Sequence, residues 1–458
     1  MDYADLAPPP NGGTVFEGDN LDSMAIMAEA NLNGKISCVL TDPPYETGNR
    51  DMIYADRRGR SDWLDWLLPR LISAWNLLDE TGAMFICIDD ANRSHLDVAM
   101  SELLPNARIG SIVWKTRSTG SGRKAPLFSC DHEHVLIYGK PNFSFRGIPR
   151  NDDGYKSQDL DGGRWRRGDL TKAHTFLQRP GTFGHVLDPV TGLSYPCNPW
   201  RVWAYALSPE GTRKKGNSLP EMVADGCVLF PKKGKSALWT TREELDAAID
   251  AGDVPRDGKG NPLIVRQLAK PGDELVGHGA LSAEEATSFN ERYLDSCLGI
   301  RFGWGRPAMK HFSSSRKSKF SAVSSLAAAP GRGNGGFESG LTAEGTRVLS
   351  SLIGGRKFDY PKPLSLFQSI LRQAMKDDGI VLDPFAGSGT TGHATLALNE
   401  EDGGSRAFIL CGTTEDTGNG RNVCRDVCAN RLLKLMPEEL LTYKVIESQP
   451  GKKNEDRP

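Results

Sequence analysis

Gly379-Ile380-Val381-Leu382-Asp383-Pro384-Phe385-Ala386-Gly387-Ser388-Gly389-Thr390-Thr391 is the stretch that decides how this chain is read. Gly379 to Leu382 is a short apolar run of strand type and Thr391 to Leu398 suits a helix, so the acid, proline and glycines between them form a strand-to-helix turn. Gly387 and Gly389 let the backbone come close to a ligand, and the helix N-terminus beyond them favours a carboxylate or another hydrogen-bond acceptor. A phosphate loop would end in Gly-Lys-Ser/Thr. Thr390 and Thr391 stand there instead, which argues against a nucleoside triphosphate. A dinucleotide fingerprint is weakened as well, because its third glycine is missing from the required place.

Outward from this turn the same alternation recurs. An amphipathic helix is expected over Leu364 to Met375 and a strand over Ala407 to Leu410. Far upstream, Ile36 to Leu40 and Ala83 to Ile88 are strand candidates. Trp63, Leu64, Trp66, Leu67, Leu71, Ala74, Leu77 and Leu78 recur at helical spacing and make Ser61 to Leu78 a helix with one apolar face. Ser111 to Trp114 and His134 to Tyr138 read as two further strands that pair. The fold class is therefore α/β with an open sheet, written in two separated halves. The expected division is 1–140, an inserted domain 141–354, 355–440, and a disordered tail 441–458. Within the insert, Trp239 to Glu244 is a helix start, and Ala327 to Gly340 is expected to be a mobile loop.

Asp42-Pro43-Pro44-Tyr45 directly follows the Ile36–Leu40 strand, at the sheet edge where open α/β folds bind ligands. The exocyclic amine of a nucleobase has a lone pair delocalised into its ring and is a poor nucleophile. Two acceptors aimed at its hydrogens help it pyramidalise, and the Asp42 carboxylate and Pro43 carbonyl supply them, with the prolines fixing φ. Tyr45 offers a flat face for an extruded base. Taken alone, the tetrapeptide also reads as a rigid turn with an incidental tyrosine.

The composition of this 458-residue chain, with a formal charge of -2, names no partner by itself. The basic excess is local: residues 141–350 hold 29 lysines and arginines against 23 acidic residues. No apolar run is long enough to cross a bilayer and Met1 to Pro10 lacks a signal-peptide pattern, so no membrane partner and a cytoplasmic location are expected. The nine cysteines are scattered and read as core residues, including Cys424 and Cys428 one helical turn apart. His132 and His134 alternate on one strand, yet the sequence offers them no third ligand, so no metal is expected.

The two motifs, Asp-Pro-Pro-Tyr first and Phe-x-Gly-x-Gly second, resemble the β-class amino-methyltransferases of DNA. The closer likeness is to the modification (Mod) subunits of type III restriction-modification systems. It is carried also by Gly18-Asp19-Asn20-Leu21, Thr47-Gly48-Asn49, Phe85 to Asp90, Asp131 to Tyr138 and Tyr360-Pro361-Lys362-Pro363. The resemblance implies a Rossmann-like S-adenosylmethionine-dependent methyltransferase fold with permuted motif order and an inserted target-recognition domain. The implied activity is methylation of adenine N6 in double-stranded DNA by base flipping and direct transfer. N4-cytosine methylation and a non-catalytic DNA-recognition subunit are the alternatives.

By the same resemblance, Asp42, Pro43, Pro44 and Tyr45 form the catalytic target-base site. Asp383, Phe385, Ala386, Gly387, Gly389 and Thr390 cradle S-adenosyl-L-methionine, Lys362 and Pro363 close over it, and Asp19 lies near its adenine. As a bare residue, Asp19 equally reads as a helix cap. A homodimer and a separate restriction (Res) subunit are the implied protein partners, since no ATPase loop or nuclease motif is present in this sequence. The chain departs from the family twice. Glu46 stands where asparagine is usual, and Cys411 to Thr414 follows Leu410 where an acid grips the ribose, with Glu415 as its substitute. DNA contacts are expected from Arg301, Arg306, Lys310, Arg316, Lys317 and Lys319 in an acid-free basic segment interleaved with aromatics, and secondarily from Arg164 to Arg167.

Overall fold

Apolar side chains along the short strands point alternately to two faces, and each face is buried. Cys38, Leu40, Ala83, Phe85, Val381, Phe408 and Leu410 share one core, while Val39, Met84, Ile86, Leu382 and Ile409 share the other. A sheet buried on both faces needs helices on both. The computed structural model describes residues 6–45, 60–118, 129–150, 153–208, 217–232, 234–315, 318–414 and 422–446. It divides into two compact units, one of Met1–Arg150 with Ser318–Pro458 and one of Asn151–Lys317.

In the first unit, strands β1 (Gly13–Glu17), β2 (Ile36–Thr41), β3 (Leu78–Ile88), β4 (Arg108–Lys115) and β5 (His132–Gly139) join the strands Ile380–Asp383, Ala407–Gly412 and Leu441–Val445. The order across this 8-stranded sheet is Leu441–Val445, β1, Ala407–Gly412, Ile380–Asp383, β2, β3, β5, β4. All pairs are parallel except those of β5, which runs antiparallel to both β3 and β4. Helices α1 (Asn20–Glu29), α2 (Arg60–Leu77) and α3 (Asp90–Leu103) cover one face through Met24, Met27, Trp63, Leu67, Leu71, Leu96 and Met100. The Leu364–Ala374 and Thr390–Asp402 helices cover the other through Leu366, Phe367, Ile370, Leu371, Ala394 and Leu398. The strand order reverses between β2 and Ile380–Asp383, so both sequence motifs leave the sheet side by side at its switch point.

The second unit is built of short strands of two to six residues in two four-stranded sheets and a two-stranded pair. Its helices at Leu219–Ala224, Arg242–Asp250 and Ala283–Asp295 each start on a capping box, Ser218 with Glu221, Thr241 with Glu244 and Ser282 with Glu285. Tyr195, Val202 and Trp203 lie in one of its cores, and Trp239, Leu245 and Phe302 in another.

Three boundaries differ from the sequence reading. Residues 141–150 and 318–354, assigned above to the insert, belong to the first unit, where Val113 on β4 accepts from Ala327 N and donates to Ser325 O. The Ala327 to Gly340 loop is accordingly pinned, with Ala328 and Phe337 hydrogen-bonded across it. Its glycines masked this, because glycine-rich composition reads the same whether or not the backbone is bonded elsewhere. The tail is also not wholly irregular, since Leu441–Val445 is an edge strand parallel to β1.

Candidate active site

β2 ends at Thr41 and its neighbour at Asp383, and a hydrogen bond of 2.9 Å from the Thr41 hydroxyl to Asp383 Oδ1 joins the two ends. Asp383 is buried, and both of its oxygens are taken by the protein. Oδ1 also accepts from Phe385 N at 3.0 Å and Oδ2 from the Thr391 hydroxyl at 2.5 Å. Burial pushes its carboxyl up to about 6 against the pull of these donors, with nearby Asp42 adding to the rise. Asp383 therefore shapes the turn from inside.

Gly387 (φ 48°) and Gly389 (φ 77°) occupy the left-handed region, and Gly389 caps the 13-residue helix Thr390–Asp402. A side chain at Gly389 would have its Cβ 3.0 Å from Cys428 Sγ, so this position is closed on both conformational and steric grounds. Arg431, fully buried, braces the turn through Ser388 O at 3.2 Å, the Thr390 hydroxyl at 3.0 Å and His393 Nδ1 at 3.0 Å. Ala386 and Thr390 are buried with it, which leaves Phe385 and Gly387 as the partly exposed members of the expected cofactor set in this turn. Asp19 caps α1 through Leu21 N at 2.8 Å and pairs with Arg70 at 2.8 Å. Arg70 Nε donates to Asn20 Oδ1 at 2.6 Å, and Asn20 Nδ2 in turn donates to Pro384 O at 2.9 Å. The helix-cap reading of Asp19 is correct as structure; Asp19 also ties α1 to α2 through Arg70, and Asn20 ties both to the glycine turn.

The Asp-Pro-Pro-Tyr loop is held from both sides: Trp63 Nε1 donates to Pro44 O at 2.7 Å, and Asn92 Nδ2 to Tyr45 O at 2.6 Å. No described residue donates to the Pro43 carbonyl. Asp42 Oδ1 receives the Tyr45 hydroxyl at 2.5 Å and the Lys362 ammonium at 3.0 Å. Lys362 also lies 3.3 Å from Glu133 Oε2 and 4.8 Å from the centroid of the Tyr45 ring. Burial pushes the Lys362 ammonium down, but the Asp42 and Glu133 carboxylates outweigh it and hold its pKa above the usual lysine value. Burial, followed by the charges of Asp42 and Glu133, drives Tyr45 well above the usual phenol range, so it remains a donor. Burial raises Glu133 too, with Lys362 opposing.

Lys362, expected to close over the cofactor, is found paired with Asp42. Its companion Pro363 precedes the Leu364–Ala374 helix as its N-cap. Glu133, Arg70 and Arg431 were missed. An acid and two arginines inside otherwise apolar elements were the available signal, because such residues are buried almost only when paired. Glu46, the Thr47 to Asn49 stretch, Glu415, Arg316 and Lys317 lie outside the described residues.

Of the remaining basic residues, Arg301 is exposed on the short strand Arg301–Gly303. Arg306 pairs with Asp169 at 2.6 Å. Lys310 is held by both oxygens of Asp159 at 2.9 and 2.8 Å and lies 5.4 Å from the Trp165 ring, so it serves the second unit's own packing. Lys319 is exposed and belongs to the first unit, not to the insert. Arg164, Arg166 and Arg167 are exposed on the strand Arg164–Asp169.

The chain is 25% identical to the type III restriction-modification enzyme StyLTI Mod subunit of Salmonella typhimurium, over 95% of this chain and 59% of that protein. It is 27% identical to the type II methyltransferase M.KpnI of Klebsiella pneumoniae, over 87% of this chain and 79% of the other. The chain thus spans about three-fifths of the StyLTI subunit. Among solved structures, the M1.HpyAVI–SAM complex is similar at 13% identity and a TM-score of 0.37, covering 92% of this chain and 98% of that one. The model of the DNA methylase family that groups N6 and N4 enzymes matches residues 36–416, from β2 through the glycine turn and beyond, and the chain belongs to that family.

Proposed function

We propose that this protein transfers a methyl group from S-adenosyl-L-methionine to the N6 amine of adenine at specific sites in double-stranded DNA. The observation that carries this reading is the switch-point geometry: Asp42 with Tyr45 beneath an ammonium, one strand away from a glycine turn at a helix N-terminus. The chemistry of the turn fits the cofactor. Gly387 and Gly389 open the backbone, and the positive end of the Thr390–Asp402 helix suits the methionine carboxylate. When bound, the cofactor supplies an electrophilic methyl on a sulfonium.

The residues of the chain account for the rest. Lys362 Nζ occupies the place of an amine, hydrogen-bonded to Asp42 and stacked on Tyr45. An entering adenine exchanges its N6 for that ammonium, which stays on Glu133. The Asp42 carboxylate and the Pro43 carbonyl then accept the two N6 hydrogens and direct the lone pair at the methyl carbon. Trp63 and Asn92 keep those acceptors fixed by holding the next two carbonyls. Positioning and fixed dipoles carry such a transfer, and no covalent enzyme intermediate is needed. After transfer N6 loses its extra proton to water or a neighbouring base.

The Mod-subunit relatives support a restriction (Res) subunit as a partner, and the second unit, with exposed Arg164, Arg166, Arg167 and Arg301, is proposed to read DNA sequence. The test is mass spectrometry of nucleosides from DNA incubated with the protein and S-adenosylmethionine. N6-methyladenine is expected. N4-methylcytosine moves the assignment to the other amine, and no methylated base refutes catalysis.

A further inference from the structure

We propose that Asp90, His132 and His134 form a binding site for one divalent transition-metal ion of the zinc class. The two histidines alternate along β5 and so project to the same face, while Glu133 between them points to the other face and meets Lys362. A third ligand was not legible along β5 because it comes from another element. Asp90 opens α3, 44 residues before His134. Its Oδ1 lies 3.0 Å from His134 Nε2 and 3.6 Å from His132 Nε2, and one donor atom from each of the three residues falls within 4.8 Å of the others.

Those two separations bracket the roughly 3.3 Å between ligand atoms that tetrahedral zinc with bonds of about 2.0–2.1 Å requires. A proton on one imidazole satisfies one contact with Asp90, whereas an ion that draws the two imidazoles together would bind all three ligand atoms, which lie within 4.8 Å of one another. Two imidazoles and a carboxylate are a borderline donor set of the kind zinc takes, with the fourth position left to water. The other ring nitrogen of His132, Nδ1, lies 3.8 Å from Cys130 Sγ, which leaves Nε2 directed at the site. His134 is nine-tenths buried, so one ligand is already immobile, while Asp90 and His132 are open enough to admit an ion.

The ion would join the first turn of α3 to the start of β5. Asn92 on that turn holds Tyr45, and Glu133 on that strand holds Lys362. Its role would be to stiffen the wall of the base pocket, with no part in the transfer itself.

The experiment uses the full chain after treatment with a chelator, titrated with Zn²⁺ by calorimetry and with Co²⁺ by visible absorption. One equivalent bound with nitrogen and oxygen donors is expected, together with a rise in Tm. That equivalent should vanish in the double variant Asp90→Asn, His132→Ala and persist in Cys130→Ser. Equal uptake by wild type and the double variant overturns the proposal and gives the ion to other thiols and imidazoles. A sulfur-to-cobalt charge-transfer band, or no uptake by wild type, overturns it as well. None of these readouts depends on methyl transfer, so the site and the enzymatic reading stand or fall separately.

Discussion

Asp42 concentrates two contacts on one oxygen, the Tyr45 hydroxyl and the Lys362 ammonium, and substitutions there separate charge from shape. Asp42→Asn keeps the outline and removes the anion proposed to orient the amine. Methyl transfer should fall by roughly 10²–10³-fold, the loss seen when one fixed polar group is taken from a reaction centre. Binding of S-adenosylmethionine, measured by calorimetry, should be unchanged, and equal activity in the variant would remove Asp42 from the mechanism. Lys362→Met tests the other partner. It leaves the partly buried Asp42 and Glu133 without their cation, a change that costs at most about 3–5 kcal/mol. Urea denaturation should show a loss of that order, and adding Glu133→Gln should recover part of it. Simple additivity of the two changes would show that Lys362 and Glu133 are not coupled.

The helix Thr342–Ile353 approaches the Pro361-Lys362 segment through a glycine. A Cβ on Gly345 would lie 2.0 Å from Pro361 O and 2.6 Å from Lys362 O. By helix propensity alone Gly345→Ala gains about 1 kcal/mol, but neither carbonyl belongs to a flexible side-chain end, so the clash wins. The variant should have a lower Tm and lose activity by shifting Lys362 off Asp42; a raised Tm would show that the contact yields. Tyr360, just before this segment, has φ 56°, a strained value for a residue preceding proline. The glycine-turn helix makes a pH prediction. Burial, then the charge of Arg431, depresses His393 from 6.5 to about 3, so the folded protein keeps it neutral. The unfolded chain binds that proton first, and stability is lost as pH falls from about 6.5 toward 3. His393→Gln retains an acceptor for Arg431 but cannot titrate. The difference in denaturation midpoint between wild type and variant should shift in favour of the variant between pH 7 and pH 4, and a constant difference would contradict a buried neutral histidine.

These elements also mark what the sequence could express. α2 was legible because its apolar positions repeat over many residues, and the Thr241 helix start because a cap has local chemistry. The Asp42–Tyr45 and Asp383–Thr391 turns were legible as strand-end turns because each carries its own turn residues. Leu441–Val445 was not, since an edge strand with no fully buried residue carries little pattern. The two-residue strands of the second unit are too short to show a period at all. The ion pairs of Lys362 were not legible, because its partners Asp42 and Glu133 come from distant segments.

At the scale of the whole molecule, the basic segment of the sequence divides by role. Lys310 is bound to Asp159, so Lys310→Ala should lower the stability of the protein and leave the salt dependence of DNA binding nearly unchanged. Arg301 is exposed, and Arg301→Ala should reduce the log–log salt slope by roughly 0.9 if it neutralises a phosphate. Titrations on duplex DNA at several salt concentrations distinguish the two. An unchanged slope for Arg301→Ala assigns the phosphate contacts to other residues, such as Arg164 to Arg167.

The bond between Thr41 and Asp383 spans 342 positions of sequence, and this has a consequence for synthesis. Until the ribosome has made Ile380–Asp383, β2 has its pairing edge open on that side, flanked by apolar faces that the later helices have yet to cover. The nascent chain must carry that exposed edge through production of the entire second unit. Chains interrupted before residue 380 should therefore accumulate as aggregates, and folding should depend on chaperones that shield an open strand during elongation.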